Sequence, residues 1–195
     1  MLRTNLITAP ALAMNLDEVK DHLRVTGDEE NFLIQKYIKA AVDYVENYTG
    51  LRLMTQTWDY FLDNFPTGQI KMPYAPLQSI TSIKYYDSDN AQQTLTVTTD
   101  YLVDTTSKPG RIEYVSSWPT TYAKNNAAEI RFVCGYTTRG LIPEGIQTAL
   151  FLLIAHYYEN RNAVMVSTGA LNQSVLMMGA NDILDDHKLY NPVVR

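Results

Sequence analysis

The sequence is poor in cysteine and in long apolar runs, and both shortages limit what the chain can be. Cys134 is the single cysteine among 195 residues, so no intrachain disulfide can form, which fits a protein made in a reducing cytosol. The densest apolar run, 149–158, is about half of the roughly 20 residues that a membrane span needs. The polar residues Thr4, Asn5 and Thr8 also interrupt the N-terminal apolar stretch. We therefore predict neither a signal peptide nor a membrane segment.

Clusters of positive charge and the common catalytic motifs are also missing. The net charge is -5, and no cluster of Lys and Arg is present that could grip a nucleic-acid backbone. The stretch GYTTRG at 135–140 lacks the lysine that ends a phosphate-binding loop, and no GxSxG motif of a hydrolase occurs. The histidines His22, His156 and His187 stand apart from one another and from Cys134. We predict no enzyme activity and no cofactor.

One group of adjacent residues keeps an alternative function open. Asp185, Asp186 and His187 are the best metal-ligand candidates, because carboxylates and imidazoles are common ligands. The three residues are neighbours in the sequence and lie in a segment without a sustained hydrophobic period. No further ligands are evident from the sequence. The alternative is therefore a small metal-dependent enzyme or factor that uses these three residues.

The late segment from Pro143 to Asn162, PEGIQTALFLLIAHYYENRN, is predicted to form the longest apolar helix. Proline is tolerated in the first turn of a helix, and Glu144 complements the positive helix start. One face carries Ile146, Ala149, Leu150, Leu153 and Tyr157, and the remaining surface carries Phe151, Leu152, Ile154, Ala155 and Tyr158. A helix that is apolar nearly all round must be buried nearly all round. Either a large internal core or neighbouring subunits must cover it.

Two shorter helical patterns precede an alternating region. Asn15 is the predicted N-cap of a helix that ends at about residue 25, and Asp28 caps a second helix, 28–49, which stops at Gly50. From 51 to 136 the apolar period changes to that of strands. The predicted strands are 57–63, 70–72, 79–86, 93–97, 100–104, 111–115 and 128–134.

The predicted fold is α+β, a small helical bundle with an inserted antiparallel β module and an extended C-terminal arm. Its expected divisions are the N-terminal helices in 1–50, the β module in 51–136, the late helix in 137–165 and the arm in 166–195. The arm is predicted because polar residues interrupt the tail, while apolar residues such as Met178 and Val193 favour ordering on a partner over solvation.

Several motifs within residues 15–164 resemble those of one family. They are HLRV, YTGLRL, TQTW, PLQSI, PGRI and AHYYENR, and they occur in the expected order. On these motifs the chain resembles the head-tail connector, or adaptor, proteins of long-tailed bacteriophages, prophages and gene transfer agents. The C-terminus departs from the family pattern, because the stretch MMGAND looks inserted.

The resemblance implies a structural role without catalysis. Identical subunits are expected to form a dodecameric ring beneath the portal protein of the capsid. The ring would extend the DNA channel and support a downstream stopper or tail-connecting protein. DNA would pass through without sequence-specific binding. The expected location is the head-tail interface of the virion, after synthesis in the bacterial host cytoplasm.

Residues are assigned to these roles as expectations. The subunit interface is expected to use Ile146, Leu150, Phe151, Ile154 and Tyr158. The portal-binding arm is expected to use Leu171, Leu176, Met177, Ile183, Leu184, Tyr190 and Arg195. The candidates for lining the DNA channel are Glu29, Glu30, Asp185 and Asp186.

Overall fold

A computed structural model describes residues 3–160 and 172–189 of the chain. In chain order these residues form β1 (Thr4–Thr8), α1 (Leu16–Leu23), α2 (Asn31–Thr49), β2 (Gln56–Leu62), β3 (Ile70–Lys71), β4 (Leu77–Tyr86), β5 (Gln92–Leu95), β6 (Tyr101–Asp104), β7 (Arg111–Tyr114), β8 (Ala128–Cys134), a 3-10 turn (Arg139–Leu141), α3 (Glu144–Glu159) and α4 (Asn172–Asp185). The α+β class is confirmed. Over these residues, no helix has both the length and the apolar character needed to cross a bilayer.

The chain divides into two compact units. We call Met1–Pro10 with Met54–Thr137 the β unit, and Ala11–Leu53 with Thr138–Lys188 the helical unit. The boundaries between the two units lie at residues 53–54 and 137–138. The first ten residues differ from expectation, since they belong with the strands and not with the N-terminal helices. They do so because β1 pairs with β2, a contact across more than 50 residues of sequence.

The β unit contains two antiparallel sheets. The larger sheet has the order β1-β2-β8-β4-β5, and the smaller one has the order β3-β7-β6. Central strand β8 alternates as predicted, with Ile130, Phe132 and Cys134 buried and the intervening side chains half-buried. Together with residues of the smaller sheet such as Tyr101 and Ile112, these side chains form one apolar core. Alternation therefore places one face of β8 in this core.

The helix ends follow from local hydrogen bonds. The Asn15 side chain accepts from the backbone N–H of Asp17 at 3.1 Å, as its predicted N-cap role requires. The second helix begins at Asn31, three residues later than predicted. Asp28 does not cap it, because Asp28 forms a turn with Asn31 instead. The Asp28 carbonyl accepts from the Asn31 backbone N–H at 3.2 Å. Its carboxylate accepts from the Asn31 side chain at 2.9 Å. Gly50 ends α2 with a φ of 77°, a left-handed conformation that favours glycine.

Helix α3 lies among α1, α2 and α4 of the same chain. Its buried residues are Ile146, Ala149, Leu150, Leu153 and Ile154. Residues 172–185, which were expected to lie in an extended arm, form α4 instead. This helix buries Ala180 and Leu184 completely. At Gly145 a Cβ atom would lie 2.9 Å from His187 Nε2 and 3.2 Å from Ile183 Cγ2, so glycine permits this close approach.

Candidate functional site

The surface of α3 is the first candidate site, because the sequence predicted subunit contacts there. Ile146, Leu150 and Ile154 are fully buried within the chain, whereas Phe151 and Tyr158 are half-buried. Ile154 was expected at the subunit interface, and the structure shows it covered by its own chain. Three helices of the same chain contact α3, including α4, which the sequence analysis did not predict. The part of α3 that can still contact another molecule therefore includes Phe151 and Tyr158.

A ring contact holds Phe151 in place, and a hydrogen bond holds Tyr158. The ring centroids of Phe151 and His22 lie 4.9 Å apart, which connects α3 to α1. The Tyr158 hydroxyl donates a hydrogen bond to the Glu30 carboxylate just before α2. The ring centroids of neighbouring Tyr157 and Tyr37 lie 6.3 Å apart. Burial raises the pKa of the Tyr157 hydroxyl. The outer part of α3 is thus an ordered aromatic surface.

The outer face of α2 carries a feature that the sequence analysis missed. Phe32 is 72% exposed, the largest exposure among the large apolar side chains of the described chain. Lys36 Nζ lies 5.1 Å from the centre of its ring, within the range of a cation–π contact. The exposure of Phe32 could have been predicted from its position, because Phe32 lies outside the apolar stripe that contains Ile34 and Ile38, both fully buried.

Helix α4 is attached to α2 through tyrosine hydroxyl groups. Tyr44 donates to Asn181 Oδ1 at 2.8 Å. Tyr48 donates to Asp185 Oδ1 at 2.8 Å. Lys188 Nζ lies 2.8 Å from the same Asp185 oxygen and 3.8 Å from the Tyr48 ring centre. The hydrogen bonds from Lys188 and then Tyr48 lower the pKa of the Asp185 carboxyl, and the same contacts raise the pKa of Lys188.

The expected acidic channel residues have different environments. Glu29 and Asp186 are exposed. Glu30 is half-buried and accepts from Tyr158, and Lys188 compensates the charge of Asp185. Glu29 and Asp186 are therefore the two that present carboxylates to solvent without an ion pair among residues 3–160 and 172–189.

The metal alternative gains no support from the described residues. Among them, no three His, Cys, Asp or Glu side chains lie together as a metal site would require. Asp185 is bonded to Tyr48 and Lys188, and His187 is half-buried with its Nε2 directed near Gly145.

The expected portal-binding residues fall into two groups. Leu184 is fully buried and Ile183 is half-buried on α4, so Leu184 serves the core of the helical unit and does not offer a free contact surface. Leu171, Tyr190 and Arg195, with the side chains of Leu176 and Met177, lie outside the described residues.

The β unit has an open cavity of about 650 Å³ lined by residues 64–69, 113–114 and 116–121. Phe65 and Trp118 stack with their centroids 4.7 Å apart, and Trp118 Nε1 donates to the Gly68 carbonyl at 2.8 Å. Glu113 is the single charged residue in the lining. Among the described residues, no serine or threonine hydroxyl of the lining forms a hydrogen bond with Glu113, so the cavity shows no nucleophile paired with a base.

Comparison with known proteins decides the family. The sequence model of the family described as "Head completion protein" matches residues 13–187. The chain belongs to the head completion protein family. It is therefore a structural virion protein of the head-tail connector kind and not an enzyme, and the resemblance noted in the sequence is confirmed. No curated protein matches the chain.

Solved structures share the fold over nearly the whole chain. A chain from the neck of an empty gene transfer agent particle, computed with C6 symmetry, is 21% identical with a TM-score of 0.80, covering 99% of this chain and 98% of that one. A chain from the virion of a native gene transfer agent particle is 22% identical with a TM-score of 0.78, and coverage is 98% of each. A chain from the neck of a native particle, computed with C12 symmetry, is 19% identical with a TM-score of 0.74, again covering 98% of each. These similarities extend through both units.

Proposed function

We propose that copies of this chain form a ring at the head-tail interface of a virion, beneath the portal protein. The ring extends the DNA channel and supports the next connector or tail component. The observation that carries this proposal is the head completion family match across residues 13–187. Support comes from the fold shared with chains of particle necks computed with C6 and C12 symmetry, since those symmetries describe rings.

The charge of the chain suits a channel that DNA crosses without binding. The net charge is -5, and proteins that hold DNA tightly neutralise phosphates with clustered Lys and Arg. Exposed carboxylates repel phosphates and so disfavour adhesion. We assign Glu29 and Asp186 as the first candidates for the channel surface, because both are exposed. Glu30 and Asp185 are weaker candidates, since each accepts hydrogen bonds from neighbours.

Subunit contacts are proposed at the helical unit. Phe151 and Tyr158 of α3 retain exposed surface and are held in place by His22 and Glu30. Ordered aromatic side chains lose little conformational entropy on association, which makes them effective interface residues. Ile146, Leu150 and Ile154 support this surface from within the core.

The portal contact is proposed at the C-terminal end of the chain. Tyr190 and Arg195 follow α4, and Leu171, Leu176 and Met177 stand at or before its first turns. Because α4 buries Ala180 and Leu184, deletion of the whole tail would remove core residues as well as the contact. The shorter truncation after Leu189 leaves α4 intact and is the sharper test.

The main experiment uses heads made without this protein. Such heads are expected to carry portal but no tail, and addition of the purified chain is expected to restore tail attachment. Cryo-electron microscopy of the restored particles should show a ring at the portal vertex. Tails that attach equally well without the chain would contradict the proposed function.

The portal contact is tested with the truncation after Leu189. The truncated protein is expected to keep its helical circular dichroism signal and to lose at least ten-fold in occupancy on the same heads. The control is the full-length chain measured in parallel. Wild-type occupancy of the truncated protein would exclude Tyr190 and Arg195 from the portal contact.

A further inference from the structure

The first three turns of α2 present an aromatic and basic surface that is exposed in the part of the chain that the structure describes. Phe32, Lys36 and Lys39 are all exposed, on the side opposite the buried Ile34 and Ile38. Over residues 3–160 and 172–189, neither lysine forms an ion pair with a carboxylate. The contact of Lys36 with the Phe32 ring places the charge beside the exposed apolar group. We call these three residues the α2 outer face.

Helix α1 of the same unit presents the opposite charge. Asp17, Glu18 and Asp21 are exposed, whereas Val19 between them is fully buried. In the part of the chain that the structure describes, these acids form no ion pair. We call the three acids the α1 outer face.

Lys20 shows that charges in this region do pair when a partner is within reach. Its Nζ lies 2.9 Å from Asp28 Oδ1, and its side chain is 14% exposed. That pair joins α1 to the turn before α2. Among the described residues, the charges of the two outer faces thus have no ion pair, in a region where Lys20 and Asp28 form a close one.

We propose that the α2 outer face of one copy docks on the α1 outer face of a second copy. This inference rests on the proposed ring. A closed ring needs a head-to-tail contact, in which each subunit supplies two different and complementary surfaces. Two copies of the α2 outer face would oppose lysine to lysine, and two copies of the α1 outer face would oppose acid to acid. Pairing the unlike faces brings opposite charges together and covers Phe32, which acts as the apolar anchor.

The test exchanges the charges of the two faces separately. One variant carries Lys36→Glu and Lys39→Glu, and the other carries Asp17→Lys and Asp21→Lys. Each variant alone has two faces of like charge, so its binding to portal-bearing heads made without this protein should fall at least ten-fold. An equal mixture should restore binding, because each variant then meets a complementary face on the other. The restored ring should alternate the two variants and close with an even number of copies.

The readout is the number of copies per head, by quantitative gel analysis and by cryo-electron microscopy of the portal vertex. Circular dichroism and a thermal unfolding scan of each variant establish that both are folded. Recovery in the mixture supports the docking. The docking is overturned if either variant alone reaches wild-type occupancy, or if two folded variants fail to recover when mixed.

A second pair of substitutions separates the apolar contribution from the charges. Phe32→Ser should lower occupancy at least ten-fold. Leu141→Ser is the matched control, since Leu141 is also strongly exposed, at 60%, in the helical unit but lies outside both faces. Equal occupancy of the two variants would overturn the role of Phe32. The wild-type chain distinguishes the two levels of the proposal: if it does not bind at the portal vertex, the proposed function itself fails.

Discussion

In the β unit, carboxylates such as Asp87 and Asp104 accept hydrogen bonds from residues that follow them within the same turn. In the helical unit, tyrosine side chains form hydrogen bonds between helices that are far apart in the sequence. Asp87 accepts from the backbone N–H groups of Asp89 and Ala91, both at 3.0 Å. Tyr44 instead reaches Asn181, which is 137 residues away. The β unit thus fixes its turns by local chemistry, and the helical unit fixes α4 by contacts that form only when the whole unit folds.

Truncations of buried apolar side chains should have the largest effects. They test whether the apolar cores of the two units contribute similar free energies of unfolding, although their polar contacts differ. Phe132→Ala in the β unit removes a fully buried ring and should cost about 3–5 kcal/mol of unfolding free energy. Ile38→Ala in the helical unit should cost about 2–5 kcal/mol for the same reason. Urea unfolding followed by circular dichroism measures both. A cost below about 1 kcal/mol at either site would show that its surroundings collapse around the cavity.

The buried pair of Glu46 and Arg52 should follow in size. Glu46 Oε1 accepts from the Leu53 backbone N–H at 2.8 Å, and Glu46 Oε2 lies 3.5 Å from Arg52 Nη1. Their side chains are 11% and 8% exposed. Removing a carboxylate from beside a buried guanidinium typically costs about 3 kcal/mol or more, so Glu46→Ala should lower the free energy of unfolding by about that amount.

Glu46→Gln is the matched control for this pair. The amide oxygen can still accept from Leu53, so the loss should be smaller than in Glu46→Ala. Equal urea midpoints for the two variants would show that the charge, and not the hydrogen bond to Leu53, accounts for the effect.

The tyrosine hydroxyl groups that hold α4 should contribute less. Tyr48→Phe removes one hydrogen bond to Asp185 and should cost about 1 kcal/mol. Hydrogen exchange at the backbone amides of α4 should become faster, because α4 should separate from α2 more often. Tyr37→Phe is the control: over residues 3–160 and 172–189, the Tyr37 hydroxyl forms no hydrogen bond. Unchanged exchange in Tyr48→Phe would mean that the Tyr48 hydrogen bond does not help to hold α4.

The smallest effect is expected from a turn of the β unit, and it should depend on pH. The Ser107 hydroxyl donates to Asp104 at 2.5 Å, and Arg111 Nη2 donates at 2.7 Å. The hydrogen bond from Ser107, followed by that from Arg111, holds the pKa of the Asp104 carboxyl far below its usual range. Since the unfolded aspartate has a pKa of about 3.9, this stabilisation is complete above about pH 5 and is lost as the pH falls, when the unfolded chain takes up the proton first.

Asp104→Asn should therefore lower the thermal midpoint more at pH 7 than at pH 3. Ser107→Ala, which removes the largest cause of the lowered pKa, should show the same trend with a smaller difference. A midpoint difference that does not change between the two pH values would contradict the assignment.

Local patterns predicted much of the fold because their causes are local. The strand 128–134 was predicted with its observed bounds, and Gly50 was predicted to end α2. Strand β1 was missed because Leu6 and Ile7 are adjacent and do not alternate, so its identity depends on pairing with β2. Helix α4 was missed because polar residues and Gly179 interrupt its apolar pattern, and its anchors on α2 are remote in sequence.

The candidate site was less predictable than the fold. A helix with apolar residues on all sides predicts that they are buried, but not by which molecule. For Ile154 the covering comes from the same chain. Phe32 could have been found as the large apolar residue outside the stripe of Ile34 and Ile38. The complementary charges of α1 and α2 were visible in the sequence, but their exposure required the folded helices.

The connection between the two units has a consequence for engineering. Strand β2 begins at Gln56 and β8 ends at Cys134, and these two residues are paired partners in the sheet. Thr55 Oγ1 also donates to the Tyr136 carbonyl at 3.2 Å. The segment from Met54 to Thr137 therefore leaves and rejoins the chain at neighbouring points, like a cassette. A transplant of this cassette between relatives needs residues 1–10 as well, because β1 forms one edge of its sheet; without them the graft would expose the side of β2 that β1 covers.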